Sequence, residues 1–286
     1  MGDAGNNAEL PEMLTALETG QPVAAEERNG SEGANGAVPI ISFRHVSMWF
    51  SERRILDDVS FTVQRGETLC ILGRSGVGKS VALRILMGFL RPQVGSIRVS
   101  GEEINSLDEE RMQEIRKHVT MVFQNGALFD SLTVRENVAF PLRERGGLAE
   151  DQLQQIVDRL IGMVGAEDVA EQLPASLSTG RRRAVAIARA LASQPEVVLY
   201  DEPTTMVDPL IARRLGDLIQ RLKRQLGFTS IVVTHDMRFA ERLADKVLFL
   251  HEGQGTFFGP LKEFLASQDP HIQEFLVLDA YKLPST

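Results

Sequence analysis

From Ile40 onward, short apolar runs alternate with stretches of helical period. Residues 40–47 and 59–63 read as strands of an antiparallel hairpin layer, joined through 49–58. Residues 69–72 form a short apolar strand, followed by a glycine-rich turn and a helical stretch over 79–87. Residues 119–123 predict another strand. Between about 126 and 192 strand signals vanish, and the pattern predicts helices broken by Pro141, Gly146–Gly147 and Pro174. Strands over 197–200, 230–233 and 247–250 then alternate with helices over 210–226 and 237–244. Such alternation predicts an α/β fold, a mainly parallel sheet with helices on both faces. An antiparallel β subdomain precedes it, and an α-helical subdomain is inserted between its strands.

Residues 1–38 do not join this pattern. They are rich in Gly, Ala, Asn and Glu and read as a flexible acidic arm. Leu10, Met13, Leu14 and Leu17 have helical spacing, so a short partner-docking helix is the alternative to spare arm. The net charge of −8 is concentrated there, because positions 1–37 hold seven acidic residues against Arg28 alone. A chain with that balance lacks the basic face of a general nucleic-acid binder, and no nucleic-acid partner is expected. Cys70 is the single cysteine, so no intramolecular disulfide can form, and its apolar neighbours predict a buried structural thiol. The N-terminus has neither the basic nor the apolar segment of a signal peptide. No apolar run approaches the roughly 18 residues a membrane-spanning helix needs, so any membrane role must come through a partner.

The glycine-rich turn carries the first chemistry. Gly73-Arg74-Ser75-Gly76-Val77-Gly78-Lys79-Ser80, followed by Val81, satisfies the phosphate-loop pattern between a predicted strand and a predicted helix. There the glycines let backbone N–H groups turn toward phosphates at the positive end of the helix. Lys79 is expected to reach the β- and γ-phosphates of ATP, and the Ser80 hydroxyl to ligate Mg²⁺. A chance glycine-rich turn is the alternative, and it fits the strand-turn-helix context poorly. The predicted strand over 197–200 runs into Asp201 and Glu202. Acids at the carboxyl end of a parallel strand face the same crevice as the loop. Asp201 is assigned to Mg²⁺, and Glu202 to polarising the attacking water. The bland alternative is that the pair merely caps the next element.

Leu177-Ser178-Thr179-Gly180-Arg181, 24 residues ahead of Asp201, resembles the LSGGQ signature of ABC ATPases. Phe50 stands where that family stacks an aromatic ring on adenine. Gln124 resembles the Q-loop glutamine, Asp208 the D-loop acid, and His235 the switch histidine. The resemblance covers about residues 40–268 and implies an ABC ATPase domain over 39–268, with the helical subdomain at about 126–192. It further implies a homodimer in which each ATP lies between one phosphate loop and the signature of the second copy, with Ser178 and Gly180 on the γ-phosphate. Gln124 joins Ser80 and Asp201 as a metal ligand, and Lys79, Glu202, Gln124 and His235 form the catalytic set.

The signature departs from the family pattern at Thr179 and Arg181. Thr179 is expected to cost left-handed backbone freedom, so that Thr179→Gly would raise turnover. Arg181–Arg183 place three cations in a helix's first turn, either facing a triphosphate or forming a solvated basic face. The Q-loop segment from Phe123 to Arg143, the Tyr200-Asp201-Glu202 segment and the tail from Asp269 to Leu276 are similar to the Mla-type ATPases that work with MCE-domain lipid carriers. That similarity implies lipid transport with an integral membrane permease and an MCE protein, at the cytoplasmic face of the inner membrane. It implies a permease helix seated near Ala127, Leu128, Phe129 and Leu132, and a tail (269–286) whose Phe275 and Leu276 anchor on the second copy. An ATPase for a small solute or drug, and a nucleotide-gated clamp outside transport, are the competing readings.

Overall fold

The computed structural model describes residues 38–280, and the leucine-spaced segment near the N-terminus lies outside the described residues. The strands are β1 (Ile41–Phe50), β2 (Arg53–Val63), β3 (Thr68–Leu72), β4 (Val94–Val99), β5 (Glu102–Glu103), β6 (Val119–Val122), β7 (Val197–Asp201), β8 (Thr229–Val233), β9 (Lys246–His251) and β10 (Gln254–Pro260). They form one sheet in the order β5-β4-β1-β2-β10-β9-β3-β8-β7-β6. The β9-β3-β8-β7-β6 half is parallel, and β1, β2, β4 and β5 supply the antiparallel layer.

Every position of β3, β7 and β8 is buried, as expected of central strands covered on both faces. Their side chains alternate between two cores. Leu69, Ile71, Val197, Leu199, Ile231 and Val233 face helices α1 (Lys79–Leu86) and α2 (Glu109–His118). Cys70, Leu72, Val198, Tyr200 and Val232 face the other core. That core contains the helical block α3 (Val134–Arg145), α4 (Glu150–Val164) and α5 (Thr179–Ala192), together with α6 (Pro209–Leu226), α7 (Met237–Leu243) and the short α8 (Leu261–Leu265). Cys70 is fully buried as predicted, and burial pushes its thiol pKa far up.

The hairpin strands run longer than the pattern predicts, leaving only Ser51 and Glu52 as the turn between β1 and β2. His45 and Asp58 have left-handed φ values (52° and 54°), and the β1–β2 register shifts on either side of Val46. Such irregularities break the period-2 alternation on which strand reading rests. Strands β4, β5 and β10 lay outside the prediction because β5 is two residues long and glycines interrupt β4 and β10. Pro141 was expected to end a helix, yet it lies inside α3. Tertiary packing overrides the local penalty: Thr133 and Glu136 form a full capping box, and Val134, Val138, Ala139 and Leu142 are buried.

The final helix α9 (Pro270–Ala280) gives Phe275 of the tail a different place from the one expected. Phe275 is 7% exposed and packs against Phe249 of its own chain, ring centroids 5.2 Å apart, and Leu276 lies against the same core. The Phe275 ring is thus committed to its own chain's core, whereas Leu276 is only partly covered, and Val277 and Leu278 are exposed apolar positions of this helix. An exposed ion pair from Glu274 to Arg74 (2.7 Å) ties α9 to the phosphate loop.

Candidate nucleotide site

Because β3, β8, β7 and β6 are adjacent, the loops leaving their carboxyl ends open onto one cleft. Its volume is about 430 Å³, and Phe50, Ser75, Gly76, Gly78, Lys79, Ser80, Val81, Gln124, Glu202 and His235 line it. Ten of the residues singled out in the sequence therefore meet at one place. Phe50 presents an exposed ring at the cleft, as a base-stacking residue must. Val77 and Val81 also pack partly into the core, fixing the loop to the body of the sheet.

Gly78 shows why the loop is built of glycine. Its φ is 104°, and an added Cβ would lie 2.7 Å from the Ile55 carbonyl oxygen. The turn directs Lys79, 5% exposed, back across the loop, where Nζ donates to the carbonyls of Gly73 (2.8 Å) and Arg74 (3.0 Å). The same ammonium lies 3.2 Å from Glu202 Oε1. Ser80 donates its hydroxyl proton to Asp201 Oδ1 at 2.6 Å, and Asp201 is buried. A hydroxyl beside a buried carboxylate is a hard-oxygen donor set, which suits Mg²⁺, an ion that takes few protein ligands and completes its shell with water and phosphate.

Glu202 has φ of 46°, a left-handed conformation costing a non-glycine residue on the order of 1 kcal/mol or more. It is held there by its N–H, which donates to Val233 O (2.9 Å) at the end of β8. The carboxylate then reaches His235 Nδ1 at 2.7 Å through Oε2, with the Thr205 hydroxyl donating to the same oxygen at 3.4 Å. Burial raises the Glu202 pKa. The hydrogen bond to His235 and the positive charge of Lys79 outweigh that, holding it below the usual carboxylate range. A carboxylate kept ionised in a partly dry cleft, next to a histidine, is suited to accept a proton from water.

Seven predicted residues fall outside the cleft lining: Gly73, Arg74, Val77, Ser178, Gly180, Asp201 and Asp208. Gly73 and Arg74 stand behind the loop and contribute carbonyls to Lys79. Ser178 and Asp208 are helix caps in this chain: Ser178 accepts from Arg181 N (3.4 Å), and Asp208 accepts from the N–H groups of Leu210 and Ile211 (both 3.0 Å). Gly180 is required for close approach, since a Cβ there would meet Ile211 Cγ2 at 2.8 Å. Thr179 corrects an expectation. It is the first residue of α5 and is absent from the positive-φ positions, so no left-handed freedom is lost there. The three arginines have different surroundings in this chain. Arg181 pairs with Asp168, Arg182 is exposed, and Arg183 is buried.

Sequence reasoning missed Arg53, Ile55 and Thr205, which also line the cleft. It missed Asn137, fully buried, whose amide donates to the carbonyls of Phe129, Leu132 and Thr133 and accepts from Phe129 N. This staple shapes the segment after Gln124, leaving Phe129 42% exposed with its ring 4.7 Å from that of Phe140. Its only signal in the sequence is a polar residue within an apolar helical face.

A phosphate loop facing an acid pair and a histidine across a parallel sheet, with a helical block spliced in beside it, defines a P-loop ATPase of the cassette kind. Residues 56–205 match the ABC transporter family, and the chain belongs to it. It is 37% identical over 250 residues to the methionine import ATP-binding protein MetN of Brucella abortus (strain 2308), covering 87% of this chain and 68% of that one. It is 36% identical over 237 residues to the intermembrane phospholipid transport system ATP-binding protein MlaF of Escherichia coli (strain K12), covering 83% of this chain and 88% of that one. Among solved structures, the dimeric ATP-binding cassette MJ0796 in a post-hydrolysis state with ADP and Pi superposes with a TM-score of 0.70 at 30% identity, covering 77% of this chain and 98% of that one. CbiO1 from Clostridium perfringens, part of the ABC transporter complex cbiONQ, gives 0.75 at 28% identity, covering 86% and 97%. The chain is thus an ATP-binding ABC transporter ATPase. Among the described residues no helix is long and apolar enough to cross a membrane.

Proposed function

We propose that this ATPase drives movement of phospholipid or another lipid between membranes, as two identical copies bound to an integral membrane permease, in an assembly that includes an MCE-domain lipid carrier. The observation that carries the reading is coverage. The match to MlaF spans 88% of that protein, whereas the match to MetN spans 68% of its longer chain. The exposed Phe129–Phe140 pair beside the Gln124 loop supports a permease contact, because an apolar helix docks on such a surface. The assembly belongs at the cytoplasmic face of the inner membrane, and nucleic acid is not among its partners.

In this reading Lys79 and the loop amides hold the β- and γ-phosphates, and Phe50 takes the adenine. Glu202 accepts the proton of the attacking water, with His235 and Thr205 fixing its orientation. Ser80, Asp201 and Gln124 would hold Mg²⁺, which supplies charge neutralisation to the phosphates. Ser178, Gly180 and Asp208 serve the second copy's nucleotide. Methionine or a related solute is the second reading, favoured by the 37% identity to MetN. Purifying the tagged chain from its native membranes in mild detergent separates the two. A permease accompanied by a lipid-binding MCE protein is expected; a permease accompanied by an amino-acid-binding protein would overturn lipid transport.

A further inference from the structure

We infer that Arg183 is a positioning residue for ATP hydrolysis, clamping the backbone beside Gln124 and the turn beside Glu202 to the first turns of α5. The inference rests on Gln124 and Glu202 being the working groups of the site. Arg183 is 5% exposed, and its guanidinium donates through Nη1 to Phe123 O (3.4 Å) and through Nη2 to Thr205 O (3.2 Å). Phe123 immediately precedes Gln124, and its carbonyl also accepts Gly126 N–H (2.9 Å), closing the turn that presents the glutamine. Thr205 is tied twice to Glu202, by its N–H to the Glu202 carbonyl (3.2 Å) and by its hydroxyl to the carboxylate (3.4 Å). One fork therefore grips both sides of the cleft. The helix that carries it also backs the glutamine turn directly: a Cβ on Gly126 would lie 3.4 Å from Ala186 Cβ.

Among the described residues no carboxylate pairs with Arg183, and burial together with the neighbouring Arg182 pushes its pKa down. An apolar side chain of similar length would fill this space without that desolvation cost. What an apolar chain lacks is two diverging donors at fixed geometry, which a guanidinium supplies. The carbonyls it holds belong to strand-end loops on β6 and β7, which no ladder hydrogen bond connects beyond the ends of the strands. Shifts of the helical block are thereby transmitted to both loops together.

The test is steady-state ATP hydrolysis by the full chain, with ATP affinity from a fluorescent analogue and melting temperature measured alongside. Arg183→Met should lower kcat by about tenfold to a hundredfold while KM and Kd stay within about twofold, and Arg183→Lys, whose single ammonium cannot span both carbonyls at that geometry, should recover only part of kcat. If the methionine variant is too unstable, Arg183→Gln, which keeps one donor group, replaces it. In a Thr205→Val background, where the hydroxyl link to Glu202 is gone, the loss from Arg183→Met (or Gln) should shrink by at least about threefold. Unchanged kcat in the folded variant, equal loss of affinity and kcat, or strict additivity with Thr205→Val would each overturn the inference. A Glu202→Gln control that still turns over at the wild-type rate would instead overturn the role given to Glu202.

Discussion

Replacing Glu202 by Gln removes a charge and keeps the volume, and two opposing consequences follow from its neighbours. Oε1 lies 3.2 Å from Lys79 Nζ and Oε2 lies 2.7 Å from His235 Nδ1. At an effective dielectric of about 20, unit charges at the Lys79 separation attract by roughly 5 kcal/mol before desolvation is subtracted, and a charge-assisted bond retains about 1.5 to 3 kcal/mol net. In Glu202→Gln that attraction is gone, and Lys79 turns wholly to the phosphates. ATP affinity should hold or rise, by up to about tenfold, worth about 1.4 kcal/mol. Hydrolysis should fall by about 10² to 10⁴, or about 3 to 5 kcal/mol in activation free energy, because the amide cannot accept the proton. The sign of the pH dependence follows. A carboxyl held below its ordinary pKa stays a competent base above that lowered value, so the acid limb of kcat due to Glu202 lies below the range of a free glutamate. Phosphate release over pH 4 to 8, with ATP-driven dimerisation followed by light scattering, measures both quantities. Turnover within about threefold of wild type would refute the assignment of Glu202 as base.

Three further outcomes are expected. Thr179→Gly should leave turnover unchanged and cost at most about 1 kcal/mol of stability from lower helix propensity, whereas Gly180→Ala should lower both melting temperature and turnover through its contact with Ile211; thermal melts and phosphate release check the contrast. Asn137→Ala leaves Leu132 O and Phe129 N without their partner, while Phe129 O and Thr133 O keep backbone donors, which should cost about 1 to 3 kcal/mol in urea unfolding. Glu196, whose pKa His118 and Arg65 bring down to about 2, stabilises the fold above the ordinary glutamate pKa and loses that contribution as pH falls toward 2. Glu196→Gln should therefore flatten the acid side of melting temperature against pH.

How much was legible beforehand depends on whether the signal was local. The phosphate loop and Asp201–Glu202 were readable because strand, turn and helix lie within a few residues, and the central strands are unbroken apolar runs. Gln124 and His235 required the resemblance, since a lone amide or imidazole has no pattern of its own. Arg183, Thr205 and Asn137 were not readable, because their partners are backbone carbonyls and groups that become neighbours only on folding. Pro141 misled because its local penalty was weighed without the packing of α3. Phe275 did so because the exposed end of α9 and its buried side chains have the same apolar character.

Strand order has a mechanical consequence for the cleft. Lys79, Asp201 and His235 hang from strands paired on both sides, whereas Gln124 follows β6, at the sheet's border and hydrogen-bonded only to β7. The cleft thus has three walls anchored in the stiff middle of the sheet and one on its compliant margin. Displacement entering from the helical block reaches both loops through Arg183, and the Gln124 loop, on the border strand, is expected to yield further than the Glu202 turn on β7. A fluorophore pair placed across the Gln124 loop and the phosphate loop should therefore change more on ATP binding than a pair placed across β3 and β7.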